Sequence, residues 1–262
     1  MKLSIIILNH NSAKLVKYLL KNIADLKISI QYQIIVIDNS PQHELKEELR
    51  SYLPYIELIE ITNKGYANGN NIGIKKAQGE YVLILNPDLY FKDNAIEKMI
   101  TYLDNNPEVG IIGPKLLYPN GHYQYSCTSF PDWRLPLYRR TKLGQTKRGK
   151  AWLQKYLMLD YDHQNTIKVD WLFGACLMVR QDAINEIGLL DERFFMYFED
   201  CDWCRRFWQK KWQVAYFPAA QVTHFHHRDS AGKNGVMGVF SKMGRIHLAS
   251  WFKYLWKWRK VQ

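Results

Sequence analysis

Leu3-Ser4-Ile5-Ile6-Ile7-Leu8 runs directly into Asn9-His10-Asn11, and this join of an apolar run to an amide cluster decides the fold. A short β-branched run of this kind reads as a buried strand. The same join recurs along the chain. Gln33–Ile37 ends in Asp38-Asn39-Ser40, Ile56–Ile61 leads to Asn63-Lys64-Gly65, and Tyr81–Leu85 ends in Asn86-Pro87-Asp88. Val109–Ile112 supplies a fifth run. Between the runs, apolar spacing predicts helices over Lys14–Ile23, Glu44–Tyr52, Ala67–Ala77 and Ala95–Leu103, the last with Asn94 or Asp93 as N-cap. Strands alternating with helices predict an α/β fold with a mostly parallel, doubly wound sheet. Such sheets bind ligands beyond the carboxyl ends of their strands. One turn former at one strand end needs no ligand to explain it. Four ends rich in amides and carboxylates converge on a single polar crevice.

Beyond residue 113 the pattern changes. From 114 to about 165 it dissolves into Pro, Tyr and basic residues without strong periodicity. Order returns in the apolar run Val169–Val179, a short helix Gln181–Ile187, an aromatic and acidic block Phe194–Trp208 with a helical second half, and a strand Gln213–Phe217. A basic, tryptophan-rich helix is expected from about 240 to 262. The expected organisation is a nucleotide half (1–113), an acceptor and catalytic half of the same domain (114–230), and a basic aromatic tail (231–262).

With 262 residues, 47% hydrophobic and 23% charged, the chain has the composition of a globular protein with a real core, which excludes disorder throughout. No run approaches the ~18 apolar residues of a membrane span. The first strand is too short for a signal-peptide core and lacks a small-residue cleavage site, so a cytoplasmic protein is expected. Cysteines at 127, 176, 201 and 204 make no disulfide framework. Cys201 and Cys204 form a C-x-x-C pair with no second pair or closely following histidine for zinc, and read as ordinary cysteines on one helix.

The net charge of +11 is unevenly placed. Residues 133–159 hold eight basic side chains and no acidic one, and residues 228–262 hold eight basic and one acidic. Such stretches suit nucleic acid or anionic lipid. On a helical wheel Leu248, Trp251, Phe252, Leu255 and Trp256 share one face and Lys253, Lys257 and Lys260 the other. This pattern fits a lipid interface, and equally a C-terminal helix packed on the domain by its apolar stripe. No nucleic-acid motif accompanies it, so no nucleic-acid partner is expected.

Taken together, the motifs resemble the family 2 glycosyltransferases, inverting enzymes with the GT-A fold, and most closely their bacterial rhamnosyltransferase-like branch. The resemblance runs from about residue 3 to 230. It rests on Ser4 to Asn11, Val36-Ile37-Asp38-Asn39-Ser40, Asn63 to Gly73, Leu85-Asn86-Pro87-Asp88, Gly174-Ala175-Cys176, Phe198-Glu199-Asp200-Cys201-Asp202, and His224 after Pro218.

The resemblance implies roles. Asp38, with Asn9 or Asn11 beside it, resembles the pair that holds uracil or thymine. Asn39, Lys64, Gly65, Asn71 and Asn86 fall in the segments that surround the nucleotide. Asp88 resembles the last acid of a D-x-D metal motif whose first acid is here Asn86, leaving one fewer charge for Mg²⁺ or Mn²⁺. His224 resembles the histidine that completes the metal shell, with His226 and His227 as close competitors. Asp200 resembles the base that takes the acceptor's proton, and Trp171, Gly174, Glu199 and Asp202 are expected around the acceptor. Acids also suit the first turn of any helix, and Arg205 and Arg206 are placed to pair with them.

The implied donor is dTDP-rhamnose, with UDP-sugars as the alternative. The implied acceptor is a glycan or polyprenyl-linked sugar at an anionic membrane surface, met from the inner face of the cell membrane. A nucleotidyltransferase would show a glycine-rich loop after the first strand, where Asn9-His10-Asn11-Ser12 has no glycine. A non-catalytic membrane or nucleic-acid adaptor need not keep Asp88 and Asp200, and both are present.

Overall fold

The computed structural model describes residues 1–42, 44–225 and 241–259. Its strands are β1 (Leu3–Asn9), β2 (Tyr32–Asp38), β3 (Glu57–Glu60), β4 (Tyr81–Leu85), β5 (Leu89–Phe91), β6 (Val109–Leu117), β7 (Tyr123–Gln124), β8 (Cys127–Thr128), β9 (Ile167–Lys168), β10 (Trp171–Leu172), β11 (Cys176–Arg180) and β12 (Gln213–His224). Its helices are α1 (Ala13–Asp25), α2 (Leu45–Glu48), α3 (Tyr66–Lys76), α4 (Ala95–Asn105), α5 (Leu135–Arg140), α6 (Lys147–Tyr156), α7 (Gln181–Ile187), α8 (Glu199–Gln209) and α9 (Lys242–Trp258).

The main sheet has the order β3-β2-β1-β4-β11-β6-β12-β5. Strands β1 to β4 pair in parallel, as the alternation predicts. All seven residues of β1 are buried, because helices cover both faces of the sheet. Helix α1 turns Val16, Leu19, Leu20 and Ile23 inward and α4 turns Ile96, Met99, Ile100 and Leu103, each at the 3–4 residue spacing of one helical face.

Several elements differ from the sequence expectation, each for a local reason. The helix expected over Glu44–Tyr52 shrinks to α2 and is followed by a 3₁₀ turn at Leu53–Tyr55, whose first turn accepts Pro54 because no backbone N–H is needed there. The apolar run at 169–179 divides into β10 and β11 around Gly174. Strand β11 runs antiparallel between β4 and β6, so the sheet is mixed. The strand expected to stop before Pro218 continues to His224, because a register shift between Phe217 and Gln221 carries the chain past the proline. The aperiodic stretch 114–165 holds α5 and α6. Only Gly149 and Tyr156 of α6 are fully buried, too short a stripe to show as periodicity among its lysines.

Helix α9 packs on the domain. Trp251, Tyr254 and Trp258 are buried in the cluster that also holds Trp203 and Phe207 of α8. The face drawn on the helical wheel is rotated: Trp251 points inward, while Phe252 and Trp256 are 57% and 69% exposed. No helix among the described residues is long and apolar enough to cross a membrane.

Candidate functional site

Three strand ends are laced together at one edge of the sheet. Asn9, paired in register with Asp38, donates its amide to Asp38 Oδ1 at 2.8 Å and to Ser40 Oγ at 3.0 Å. The Ser40 amide returns to Asp38 Oδ1 at 3.0 Å, and Asp38 is fully buried. The Asn11 amide also donates to Ser40 Oγ, with Asn11 exposed in the left-handed region at φ 54°. Asn39 meets the His10 ring at 3.0 Å and reaches Asn63 Oδ1 at 3.4 Å. Asn63 in turn accepts the Gly65 amide at 2.9 Å. Lys64 is exposed beside this loop. Gly65 has φ 104°, and a Cβ there would run into the Phe195 carbonyl oxygen, so the loop before α3 can close on the 194–200 segment only as glycine. The Tyr66 amide then donates to that same carbonyl at 2.7 Å.

The end of β4 supplies the second component. The Asn86 amide donates to Ala175 O at 2.9 Å, tying the start of β11 to the crevice. Two residues on, β5 pairs antiparallel with β12 and sets His224 opposite Leu89. This brings His224 Nε2 to 3.3 Å from Asp88 Oδ1. The other ring nitrogen, Nδ1, meets Gln124 Oε1 at 2.9 Å, which fixes the orientation of the ring. A hard oxygen beside an imidazole nitrogen is a donor pair suited to a divalent cation. Among the described residues no group of three or more His, Cys, Asp or Glu gathers to hold a metal. His226 and His227 lie outside the described residues.

The third component is the first turn of α8. Tyr197 and Phe198 both have φ 69°, a left-handed conformation that costs roughly 1–2 kcal/mol per residue. They are held by packing: the His247 ring lies 4.9 Å from Tyr197 and 5.3 Å from Phe198, and Trp171 stacks on Phe198. The turn delivers Glu199 and Asp200 into the buried interior. Asp200 accepts the Gly174 amide at 2.8 Å and the Cys201 amide at 2.7 Å. Burial pushes the Asp200 carboxyl up to about 6, against these amides and the neighbouring Trp171 indole, which favour its charged form. Burial, and then the charge of Asp200, hold the Glu199 carboxyl well above the usual range. Glu199 Oε2 has no hydrogen-bond partner among the described residues. Tyr66 links this buried acidic turn to the loop before α3 by donating its hydroxyl to Gly174 O at 2.7 Å. A carboxylate that gains and loses its proton near neutral pH is equipped for proton transfer.

The structure does not bring every expected residue to this crevice. Asn71 exchanges hydrogen bonds with Leu190 and donates to Glu192, and so straps α3 to the 190–192 segment. Asp202, fully buried on the other side of α8, is bound by Arg206, Lys257 and Trp258. Ser40, Tyr66 and Gln124 were not singled out by sequence reasoning. Ser40 and Tyr66 lay inside the motifs, whereas Gln124 sat in the aperiodic stretch without any signal.

The profile of Glycosyl transferase family 2 matches residues 4–188, from β1 through α7. The chain belongs to this family. Among curated relatives of this family 2 chain, rhamnosyltransferase WbbL of Escherichia coli K12 is 28% identical over 96% of this chain and 91% of its own length. Hexosyltransferase Agl10 of low-salt glycan biosynthesis in Haloferax volcanii is 31% identical over 78% of this chain and 61% of its own. The N-acetylglucosaminyl-diphospho-decaprenol L-rhamnosyltransferase of Mycobacterium tuberculosis is 30% identical over 59% of this chain and 50% of its own. The chain thus spans half to three fifths of the latter two. Solved structures that share the fold include the following two. S. aureus TarS 1-349 in complex with UDP has a TM-score of 0.58 at 17% identity over 85% of this chain and 60% of its own. The Pyrobaculum calidifontis mannosyltransferase PcManGT, solved with GDP-Man and Mn²⁺, has 0.59 at 14% identity over 87% and 58%. The GT-A-like arrangement is thereby established for this family 2 chain.

Proposed function

We propose that this protein is an inverting rhamnosyltransferase of cell-surface polysaccharide synthesis, using dTDP-rhamnose and a glycan or polyprenyl-linked acceptor at the inner face of the cell membrane. The observation that carries the reading is Asp200, a buried carboxylate at about 6, held by the Gly174 amide at the junction of the β4 end and α8. Rhamnose as the sugar is supported by WbbL and by the dTDP-rhamnosyl transferase RfbF of Shigella flexneri. A lipid-linked acceptor is supported by the decaprenol substrate in the mycobacterial relative's name. UDP-sugars are the second reading, favoured by the UDP in the TarS complex.

In this reading residues 1–113 hold the nucleotide and residues 114–230 hold the acceptor. Asp38, braced by Asn9, reads the base, with Asn11, Asn39, Lys64, Gly65 and Asn86 around the rest of the donor. Asp200 takes the proton from the acceptor hydroxyl while that oxygen bonds to the anomeric carbon. The bond from that carbon to the diphosphate oxygen breaks in the same displacement, its electrons leave with the nucleoside diphosphate, and the configuration inverts. Trp171 and Gly174 shape the acceptor side. Glu199, kept protonated by burial, leaves Asp200 as the group that accepts the proton. Asp88 and His224 would hold Mg²⁺ or Mn²⁺, which supplies positive charge for the departing diphosphate.

The test is transfer from dTDP-rhamnose to a polyprenyl-diphosphate sugar with wild type and Asp200→Asn. The variant should keep donor affinity by calorimetry and lose roughly 10²-fold or more in kcat. Unchanged kcat would remove Asp200 from the chemistry. Asp88→Ala or a chelator should abolish turnover, and full activity of Asp88→Ala in chelator would dismiss the metal.

A further inference from the structure

The segment 190–198 lies between α3 and α9 and ends in the turn that presents Asp200. Toward α3, Leu190 and Glu192 bond the Asn71 side chain, and the Phe195 carbonyl accepts the Tyr66 amide at 2.7 Å. Toward α9 the segment meets a single stripe. Ser250, Lys253 and Lys257 follow one another at helical spacing, and their partners run in reverse order along the segment. Ser250 donates to Met196 O at 2.8 Å, Lys253 to Arg193 O at 2.7 Å, and Lys257 to Asp191 Oδ2 at 2.8 Å. Lys257 also reaches past the turn, where its ammonium lies 2.7 Å from Asp202 Oδ1 in α8. One cation thus joins the acid before the left-handed Tyr197-Phe198 turn to the acid after it. Each acid has a second cation of its own, Arg193 for Asp191 and Arg206 for Asp202. Charge balance at either acid therefore does not depend on Lys257. What Lys257 supplies is the bridge.

We propose that Lys257 is a positioning residue for sugar transfer: by tying Asp191 to Asp202 it fixes the Tyr197-Phe198 turn, and with it the angle at which α8 presents Asp200. Two consecutive left-handed residues other than glycine persist only where the surrounding structure holds them. The turn leads directly into α8, so a turn that relaxes rotates the first residues of that helix. Asp200 then leaves the Gly174 amide, which it meets at 2.8 Å. Catalysis is sensitive to such shifts, since a misplacement of ~1 Å costs about 10²-fold in rate. Lys257 itself stands away from the chemistry, because Asp202 faces the opposite side of α8 from Asp200. The inference rests on Asp200 as the base, as proposed above, and assigns a residue of the C-terminal helix to its support.

The test compares Lys257→Met, Lys257→Arg and Asp191→Asn in the full chain, well below the unfolding temperature of each. In transfer from dTDP-rhamnose to a polyprenyl-diphosphate sugar, Lys257→Met should lower kcat roughly tenfold or more, with donor KM within about twofold of wild type. Asp191→Asn cuts the same bridge while leaving Lys257 on Asp202, so it should act alike and carries the test should Lys257→Met fail to fold. Lys257→Arg keeps a cation between the two acids and should restore most of kcat. In an Asp200→Asn background, Lys257→Met should reduce the residual transfer no further, because the group it positions is gone. Hydrogen exchange reads the tie without substrate: Lys257→Met should speed exchange across 193–202 and leave β1 and β4 unchanged. Wild-type kcat in both Lys257→Met and Asp191→Asn, an equal loss in both backgrounds, or unchanged exchange across 193–202 overturns the proposal. Unchanged kcat in Asp200→Asn instead overturns the base assignment, and is told apart because it shows in that variant alone. Absence of transfer by wild type would count against the donor, and the exchange measurement then decides the tie.

Discussion

The two faces of α8 treat the same residue type in opposite ways. Asp200 and Asp202 are two residues apart, which on a helix turns them to nearly opposite sides. Asp202 is enclosed by Arg206 at 3.0 Å, Lys257 at 2.7 Å and the Trp258 indole at 2.9 Å. Asp200 has backbone amides and Glu199 for company, and no ion-pair partner among the described residues. Both are buried, so burial alone does not set how a carboxylate is held. The cations make the difference: one carboxylate anchors a helix, and its neighbour, unpaired with any cation among the described residues, is the one to which the proposed function gives the proton.

The comparison is broken most forcefully by matched substitutions. Asp202→Asn leaves Lys257 and Arg206 facing a neutral amide in a buried site, and should lower the unfolding free energy by about 3–5 kcal/mol in urea titration. Asp200→Asn removes a charge that burial opposes and should cost nothing or stabilise. Equal losses in both would erase the distinction between the faces. A smaller effect sharpens the Asp200 side. Its folded value of about 6 lies above the unfolded carboxylate value near ~3.9, so the folded protein binds this proton more tightly. Stability contributed by that proton is present at low pH and lost as pH rises through about 4 to 6. The difference in stability between wild type and Asp200→Asn should change across this window and be flat above it. The kcat/KM profile should rise with pH along an acid limb near 6. A limb near ~4 would mean that the pocket does not alter the carboxyl. The smallest expected effect is Tyr66→Phe. It deletes the hydrogen bond to Gly174 O and should cost about 1 kcal/mol, with the Asp202 anchor untouched.

What the sequence revealed follows the length scale of the signal. The strands β1, β2 and β4 and the helices α1, α3 and α4 show in the sequence because each repeats its own period over several residues. Their strand-end amides and carboxylates were readable for the same reason, since a sheet puts such ends on one edge. The pairing of Asp88 with His224 depends on β5, three residues long, and on a register shift beyond Pro218, neither of which has a periodic trace. Gln124 is invisible because its role exists only once β7 meets β6. The purposes of Asn71 and Asp202 were hidden differently. Both sit within motifs of chemically apt residues, and only long-range partners, Leu190 and Lys257, reveal what each side chain holds. The tail shows the same limit. Its wheel gives an apolar face, but α8 accepts the 251, 254, 258 stripe and leaves the other aromatics outside.

The antiparallel strand β11 has a consequence for how the chain reaches its folded form. It is the neighbour of both β4 and β6, yet it is made long after either. As the polypeptide leaves the ribosome, β3, β2, β1 and β4 can pair among themselves, and the outer edge of β4 stays open. Strand β6 meanwhile has only the two residues of β7 beside it. Completion of the sheet waits for residues 176–180, and β12 then closes the far side over β6. Loop closures of this span are the slow part of folding, and an open strand edge is where nascent chains go astray. The strand that joins β4 to β6 in the finished protein is therefore also the one whose late arrival sets the most vulnerable interval of its synthesis.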